Sequence, residues 1–218
     1  MSHLKKRGLF YNDSRLMVSV ILSASFISLA AEAQDHHEIT ALPSSSIKIS
    51  GDSSVRKFSA NSSPLELKGS AQSTKGAPSH FTWLPERLEI KLPVANLKSG
   101  ERTLDKHMHE ALKEELFPLI DVKLSSFVVP SSDGALADTI KMSGEMTVAG
   151  VTKPIHLESA ISAEGKELRI RGKKGVLMSD FGIKPPVLMM GTLKTRDEID
   201  ISFDVILTQS LDAQKAGK

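Results

Sequence analysis

The chain contains no cysteine, one tryptophan and one tyrosine among its 218 residues. Without cysteine there is no disulfide, no thiolate nucleophile and no lipid attached through an N-terminal cysteine, so the fold must stand on packing alone. Long apolar runs are also missing. The apolar run Leu16 to Ala30 carries no charge and has 15 residues, short of the roughly 20 that a helical bilayer span needs. Nor is there a real surplus of either charge. Lys and Arg number 28 and Asp and Glu 26, and residues 1–33 hold four of the basic and two of the acidic ones. The remainder carries 24 of each. Tyr11 lies in the same N-terminal stretch, which leaves Trp83 and six phenylalanines beyond it. A neutral chain with few stacking platforms argues against a nucleic-acid partner.

What the N-terminus does have is a three-part layout. Lys5, Lys6, Arg7 and Arg15 surround or precede the apolar run, and Ala31 and Ala33 supply the small residues that a signal peptidase reads. This predicts a signal peptide over residues 1–33, cleaved after Ala33, and a periplasmic or secreted mature chain with no stable membrane span. An uncleaved anchor is the competing reading. The mature chain of about 185 residues suits one domain with a substantial core. Residues 34–45 read as a flexible lead-in, 46–209 as the folded domain and 210–218 as a polar tail.

Within that domain, period-two alternation dominates. In "RLEIKLPVANL" Leu88, Ile90, Leu92 and Val94 share a face. Ile140, Met142, Met146 and Val148 do so in "TIKMSGEMTV", and Ile199, Ile201, Phe203, Val205 and Leu207 in "EIDISFDVIL". Weaker copies run through "SIKIS", "PLELKGSA", "IDVKLSSFVV", "PIHLESAIS" and "KELRIRG". These make about eight strands, each with one wet and one apolar face, which favours antiparallel pairing. The fold class is mainly β: an eight-stranded antiparallel barrel, with a two-sheet sandwich as the rival. One helix interrupts the pattern at about 103–116, where Leu104, Met108, Ala111, Leu112 and Leu116 follow helical spacing. Thr103 is its expected cap, Asp105 suits its positive end, and Pro118 is its expected stop.

Several motifs invite chemistry and lack partners for it. "DFG" at Asp180 to Gly182 holds magnesium in protein kinases, but no Gly-rich phosphate loop, strand lysine or catalytic loop accompanies it. Asp180 is expected instead to hydrogen-bond backbone groups at a turn marked by Gly182, Pro185 and Pro186. No "GxSxG" is present for a nucleophilic serine. His107 and His109 would point about 200° apart on a helix and so cannot share a metal. His36 and His37 fall in the lead-in, where solvation is their expected state. The expectation is no catalytic residue, no metal and no cofactor. An apolar barrel interior is either solidly filled or encloses an apolar ligand, and periodicity alone does not choose. Met142, Met146, Met178, Met189 and Met190 suit both readings.

Four stretches in order resemble the YceI-like family of exported lipid-binding proteins: "GDSSVRKFSANSSPLELKG", "LKSGERTLDKHMHEALKEELFPLIDVKLSS", "MSGEMTVAGVTKPIHLE" and "MSDFGIKPPVLMMGTLKTRDEIDISFDVIL". The family's helix pattern is matched by Arg102, Asp105, His107, Met108, Phe117 and Pro118, with Arg102 shifted slightly from the commonest spacing. Its "G-x-L-T-x-x-G-x-T-K-P" turn is matched by Gly144 to Pro154, with Met146 in place of Leu. The resemblance implies a lipocalin-like barrel whose lumen takes a polyisoprenoid or another long-chain amphiphile. One segment departs from the family: Arg56, Lys57 and Phe58 stand where "H-D-W" is common. On this reading the lumen is lined by Ile90, Leu92, Val94, Ile140, Met142, Met146, Val148, Leu157, Ile170, Phe181, Ile201, Phe203 and Val205. The helix and the segment from Asp180 to Met190 form its mouth. Either a monomer or a homodimer is compatible with the sequence. A ligand-free structural or interaction barrel is the alternative from another class, followed by a metal-dependent or hydrolytic enzyme.

Overall fold

Alternation of apolar and polar side chains gives thirteen strands and one helix in the computed structural model, which describes residues 36–62, 64–73, 81–132, 135, 136, 138–188 and 193–210. The strands are β1 (His36–Ala41), β2 (Ser46–Ser53), β3 (Lys57–Ser62), β4 (Glu66–Ser73), β5 (Trp83–Pro93) and β6 (Leu119–Val128). A small hairpin of β7 (Ser131–Ser132) and β8 (Ala135–Leu136) follows. Then come β9 (Thr139–Val148), β10 (Val151–Glu164), β11 (Glu167–Leu177), β12 (Val187–Leu188) and β13 (Leu193–Gln209). The helix α1 spans Arg102–Ala111, between β5 and β6.

β1 and β2 both pair with β13 and run in line along one wall. β3 and β4 do the same beside them, β3 on β2 and β4 on β1. These two composite staves, with β5, β6, β9, β10, β11 and β13, form a closed antiparallel meander of eight, because β13 pairs with β11 on one side and with β1 and β2 on the other. Closure leaves β3 at the end of the sheet path, where a single bridge from Asn61 to Lys98 ties its outer edge. The connections alternate between two ends. The β2–β3 turn, α1, the β9–β10 turn and the β11–β13 connection gather at one end, called the mouth below. The β9–β10 turn is the two-residue loop Ala149–Gly150, with φ of +49° and +82°. That pair of positive φ values matches the twist of a tight hairpin. Gly144 permits another close approach: a Cβ there would sit 1.9 Å from the Lys123 carbonyl oxygen, beside the register shift between Leu124 and Ser126.

Three expectations need correcting. Residues 34–45 are not simply a flexible lead-in, since β1 occupies 36–41 and Ile39 is buried. Its continuity with β2 survives the "LPSS" break because Leu42 N–H donates to the Ile206 carbonyl at 2.8 Å. Ser45 Oγ also accepts from Ile206 N–H at 3.0 Å. The segment "KFSANS" forms the unforeseen β3, inward at Phe58, Ala60 and Ser62. The helix ends at Ala111, well before Pro118, because Lys113 adopts φ +56°. Thr103 does not cap it. Glu101 occupies the N-cap position without a side-chain cap bond. Of the polar tail, Ser210 alone falls among the described residues, and its N–H donates to Glu38 O at 2.8 Å. Met189 and Met190 lie outside them.

The end opposite the mouth is solid. Ile39, Phe81, Trp83, Ile161, Leu168 and Leu207 are each 2% exposed or less. Burying each such side chain contributes about 1.5–3 kcal/mol. Trp83 Nε1 donates to the Lys166 carbonyl at 3.3 Å, which ties the β10–β11 turn to this floor.

Candidate functional site

Above the floor the barrel is hollow. A cavity of about 540 Å³ lies beneath α1, within the roughly 300–1,000 Å³ of small-molecule sites. A pocket of about 80 Å³ continues it toward the floor. Ile47, Ile90, Val122, Met146 and Ile201 line both, so the two form one lumen.

The roof follows from the helical period. Leu104, His107, Met108, Ala111 and Leu112 fall on one face and line the cavity. An adjoining face anchors the helix. Asp105 accepts hydrogen bonds from Ser99 Oγ at 2.6 Å and Ser99 N–H at 2.7 Å. These bonds hold its carboxyl below the usual range and keep a negative charge at the positive end of the helix dipole. His109 Nε2 donates to the Leu97 carbonyl at 2.9 Å, with Nδ1 3.2 Å from Glu114. His107 therefore faces the lumen while His109 faces the loop beneath the helix. Among the described residues no group of three or more His, Asp or Glu is placed to hold a metal.

One wall is built differently. Registered pairing between β10 and β11 runs from Glu164–Glu167 to Ala160–Arg171. Nearer the mouth the wall is completed by the 3-10 turn Met178–Phe181 and by Ile183. Phe181 and Ile183 are buried, and Gly182, at φ +65°, lets the chain reverse between them. The "DFG" tripeptide is thus a wall element that inserts its phenylalanine. Asp180 itself is exposed, and the carboxylate that bonds this turn is Asp197, which accepts from Ser179 N–H and Oγ.

The mouth carries the polar lining: Ser53, Arg56, Glu101, Thr103, His107 and Thr195. Arg56 and Glu101 form an ion pair between the β2–β3 turn and the start of α1. That hydrogen bond holds the Glu101 carboxyl below its ordinary range. The departing segment is therefore part of the mouth, with Phe58 in its wall.

Leu92, Val148 and Phe181 line the main cavity, and Ile90, Met146 and Ile201 line both spaces. Met142, Leu157, Ile170, Phe203 and Val205 line the deeper pocket. Val94 and Ile140 line neither. Val94 leaves the strand in a 3-10 turn and is 1% exposed, and Ile140 is 0% exposed in the solid part. Parity tells which face a residue occupies but not its height along the barrel. Sequence reasoning missed Ile47, Ile49, Ile120 and Val122, whose strands were recognised and whose parity would have placed them, and Val176, which lies beyond the recognised "KELRIRG". It also missed Lys174, which shares the inward face of Leu168 and Ile170 and lines the deeper pocket.

A closed barrel with a packed floor, an apolar interior and a helix across its mouth defines the lipocalin-like class of internal-cavity barrels. The chain belongs to the YceI-like family: the family model for the YceI-like domain matches residues 33–207. A UPF0312 protein of Pseudomonas savastanoi is 29% identical over 124 residues, covering 54% of this chain and 61% of that protein. One from Pseudomonas putida is 30% identical over 136 residues, covering 57% and 67%. The match to the first thus spans about three fifths of that relative's length. Among solved structures, BcnA of Burkholderia cenocepacia superposes with a TM-score of 0.57 at 11% identity, covering 74% of this chain and 95% of that one. A polyisoprenoid binding domain from Saccharophagus degradans superposes with 0.55 at 8% identity, covering 81% and 99%. At such identities the likeness is one of fold.

Proposed function

We propose that the protein is exported and binds a long apolar or amphiphilic lipid of the isoprenoid type in its lumen, as a carrier or sequestering protein without catalysis. The observation that carries this reading is the apolar cavity of about 540 Å³, closed below by a packed floor, with its polar lining at the mouth and Lys174 beside the deeper pocket. An empty apolar void costs about 24 cal/mol per Å³, so a barrel kept only as a scaffold would be expected to fill it. A hydrocarbon chain entering it gains about 25 cal/mol per Å² of apolar area buried, and hydroxyl, imidazole and guanidinium groups at the mouth suit a polar head. The polyisoprenoid binding domain of similar fold supports the choice of ligand class.

Mass spectrometry of an organic extract from natively purified protein tests the reading. A near-stoichiometric long-chain compound is expected. A lipid-free extract, together with no uptake of an apolar fluorescent probe, would remove it and leave the scaffold alternative. Export is tested by the intact mass of protein recovered from the producing cell: a chain beginning at Gln34 supports it, and a chain retaining Leu16 to Ala30 refutes cleavage.

A further inference from the structure

We propose that residues 178–184 form a side door to the lumen, through which the ligand enters and leaves between β10 and β11 rather than past α1. The proposal rests on the cargo reading above. β10 and β11 have 14 and 11 residues, yet they share only five registered pairs, all toward the floor, from Glu164–Glu167 to Ala160–Arg171. Their other edges are laced along most of their length, β10 to β9 and β11 to β13. The sequence of β10 contributes to the parting. Val151 faces β9 as the closing residue of the hairpin, so alternate residues from Thr152 onward, Pro154 among them, turn their backbone groups toward β11, and proline has no N–H to give.

Residues 178–184 fill the gap on two side chains. Phe181 and Ile183 are buried, while Ser179, Asp180, Gly182 and Lys184 are exposed. Both buried side chains line the main cavity, so parting them from β10 opens the lumen directly. The segment is fastened on one side. Asp197 of β13 accepts from Ser179 N–H at 2.8 Å and from Ser179 Oγ at 2.5 Å, and Thr195 N–H donates to the Pro186 carbonyl at 3.0 Å. Bonds from Gly182 N–H to Ser179 O and from Ile183 N–H to Met178 O, 3.0 and 3.1 Å, keep it one unit. Among the described residues no hydrogen bond joins it to β10. The helix is held at both ends instead: Glu101 by Arg56, Asp105 by Ser99, and His109 by the carbonyl of Leu97, itself 0% exposed. The piece of wall that parts most readily is therefore this segment from β10. An entering hydrocarbon chain re-covers the apolar surface that Phe181 and Ile183 leave, so the door opens at least cost when ligand is present.

The test locks the door. The chain has no cysteine, so V151C/G182C places the only two thiols across it. A Cβ at Gly182 would lie 3.9 Å from Val151 Cγ2, within reach of a disulfide. The full-length variant is delipidated, and the binding and release of N-phenyl-1-naphthylamine are followed by stopped-flow fluorescence before and after dithiothreitol, with the crosslink confirmed by thiol titration. Comparing two states of one molecule removes the effect of a side chain at the left-handed position 182. The oxidised form is expected to bind and release the probe about 10-fold more slowly or less, with little change in Kd, and reduction should restore both rates. D197A needs no crosslink and is the converse: freeing Ser179 should raise both rates by about 10-fold. Rates unchanged by a confirmed crosslink, or equal to wild type in D197A, would overturn the proposal and leave the mouth as the route. Failure of the wild type to bind the probe at all would remove the cargo reading itself, and the door with it.

Discussion

Replacing Met146 by Trp tests whether the lumen is open in solution. Met146 lies where the main cavity meets the deeper pocket, and Ile140 lies on the same face of the same strand but lines neither. The pair makes an internal control. At Ile140, 0% exposed, the indole must displace packed neighbours, and overpacking of that kind costs about 1–3 kcal/mol. At Met146 the ring can swing into a void of about 540 Å³, so the expected cost is below about 1 kcal/mol. The indole then takes the place of roughly 100 Å² of ligand contact. At about 25 cal/mol per Å² that is ~2.5 kcal/mol, or about 70-fold in affinity. Urea unfolding of delipidated protein measures the first quantity and titration with an apolar fluorescent probe the second. Delipidation matters because a bound ligand adds apparent stability. Equal destabilisation by I140W and M146W would show that the lumen is filled in solution. Unchanged probe affinity in M146W would show that the ligand binds elsewhere.

Gly144→Ala should destabilise the barrel by about 1–3 kcal/mol, since the new Cβ would meet the Lys123 carbonyl and the β6–β9 bulge must shift; a urea midpoint equal to wild type would show that the bulge relaxes freely. His109→Ala should cost about 1 kcal/mol through the lost bond to Leu97 O, while His107→Ala should leave the unfolding curve unchanged. Elemental analysis should find no zinc that is lost in the double variant, and a stoichiometric metal lost on mutation would reassign the site. Two bonds from Arg169, at 2.8 and 2.6 Å, hold the Asp204 carboxyl below its ordinary range. A depressed carboxylate stabilises the fold above its unfolded pKa of about 3.9 and loses that contribution as pH falls through the lower folded value. The stability difference between wild type and Asp204→Asn should therefore hold steady near neutrality and shrink below about pH 4. A difference independent of pH down to strong acid would contradict the pairing.

The strands were legible because each carries its inside–outside assignment locally. Met142 and Met146, two and six residues after Ile140, must share its face whatever the strand packs against. The "TLDKHMHEALKEELFP" helix was legible by its period, but its end was not, because a left-handed Lys113 leaves no mark in that period. β1 and β3 were missed as strands because each is six residues long and only becomes half of a wall stave through pairing with β13, β4 or β2. Of the two misplaced lumen residues, Ile140 failed in height along its strand, and Val94 because the strand ends before it in a 3-10 turn.

Thus the residue pattern alone settled the secondary-structure class, the number of staves, the face on which each side chain falls and the opposed directions of His107 and His109, all of which depend on bonds and periods within one segment. Closure, depth and vacancy did not depend on any one segment. Whether the barrel is full or hollow rests on how far apart opposite walls stand, and that follows from the shear and closure of all eight staves together. The Phe81 and Trp83 end packs solid, while α1 and the Met178–Phe181 turn roof and wall a void at the other. Only the tertiary structure brings these distant segments together, because burial and void volume are properties of neighbours and not of the chain's order.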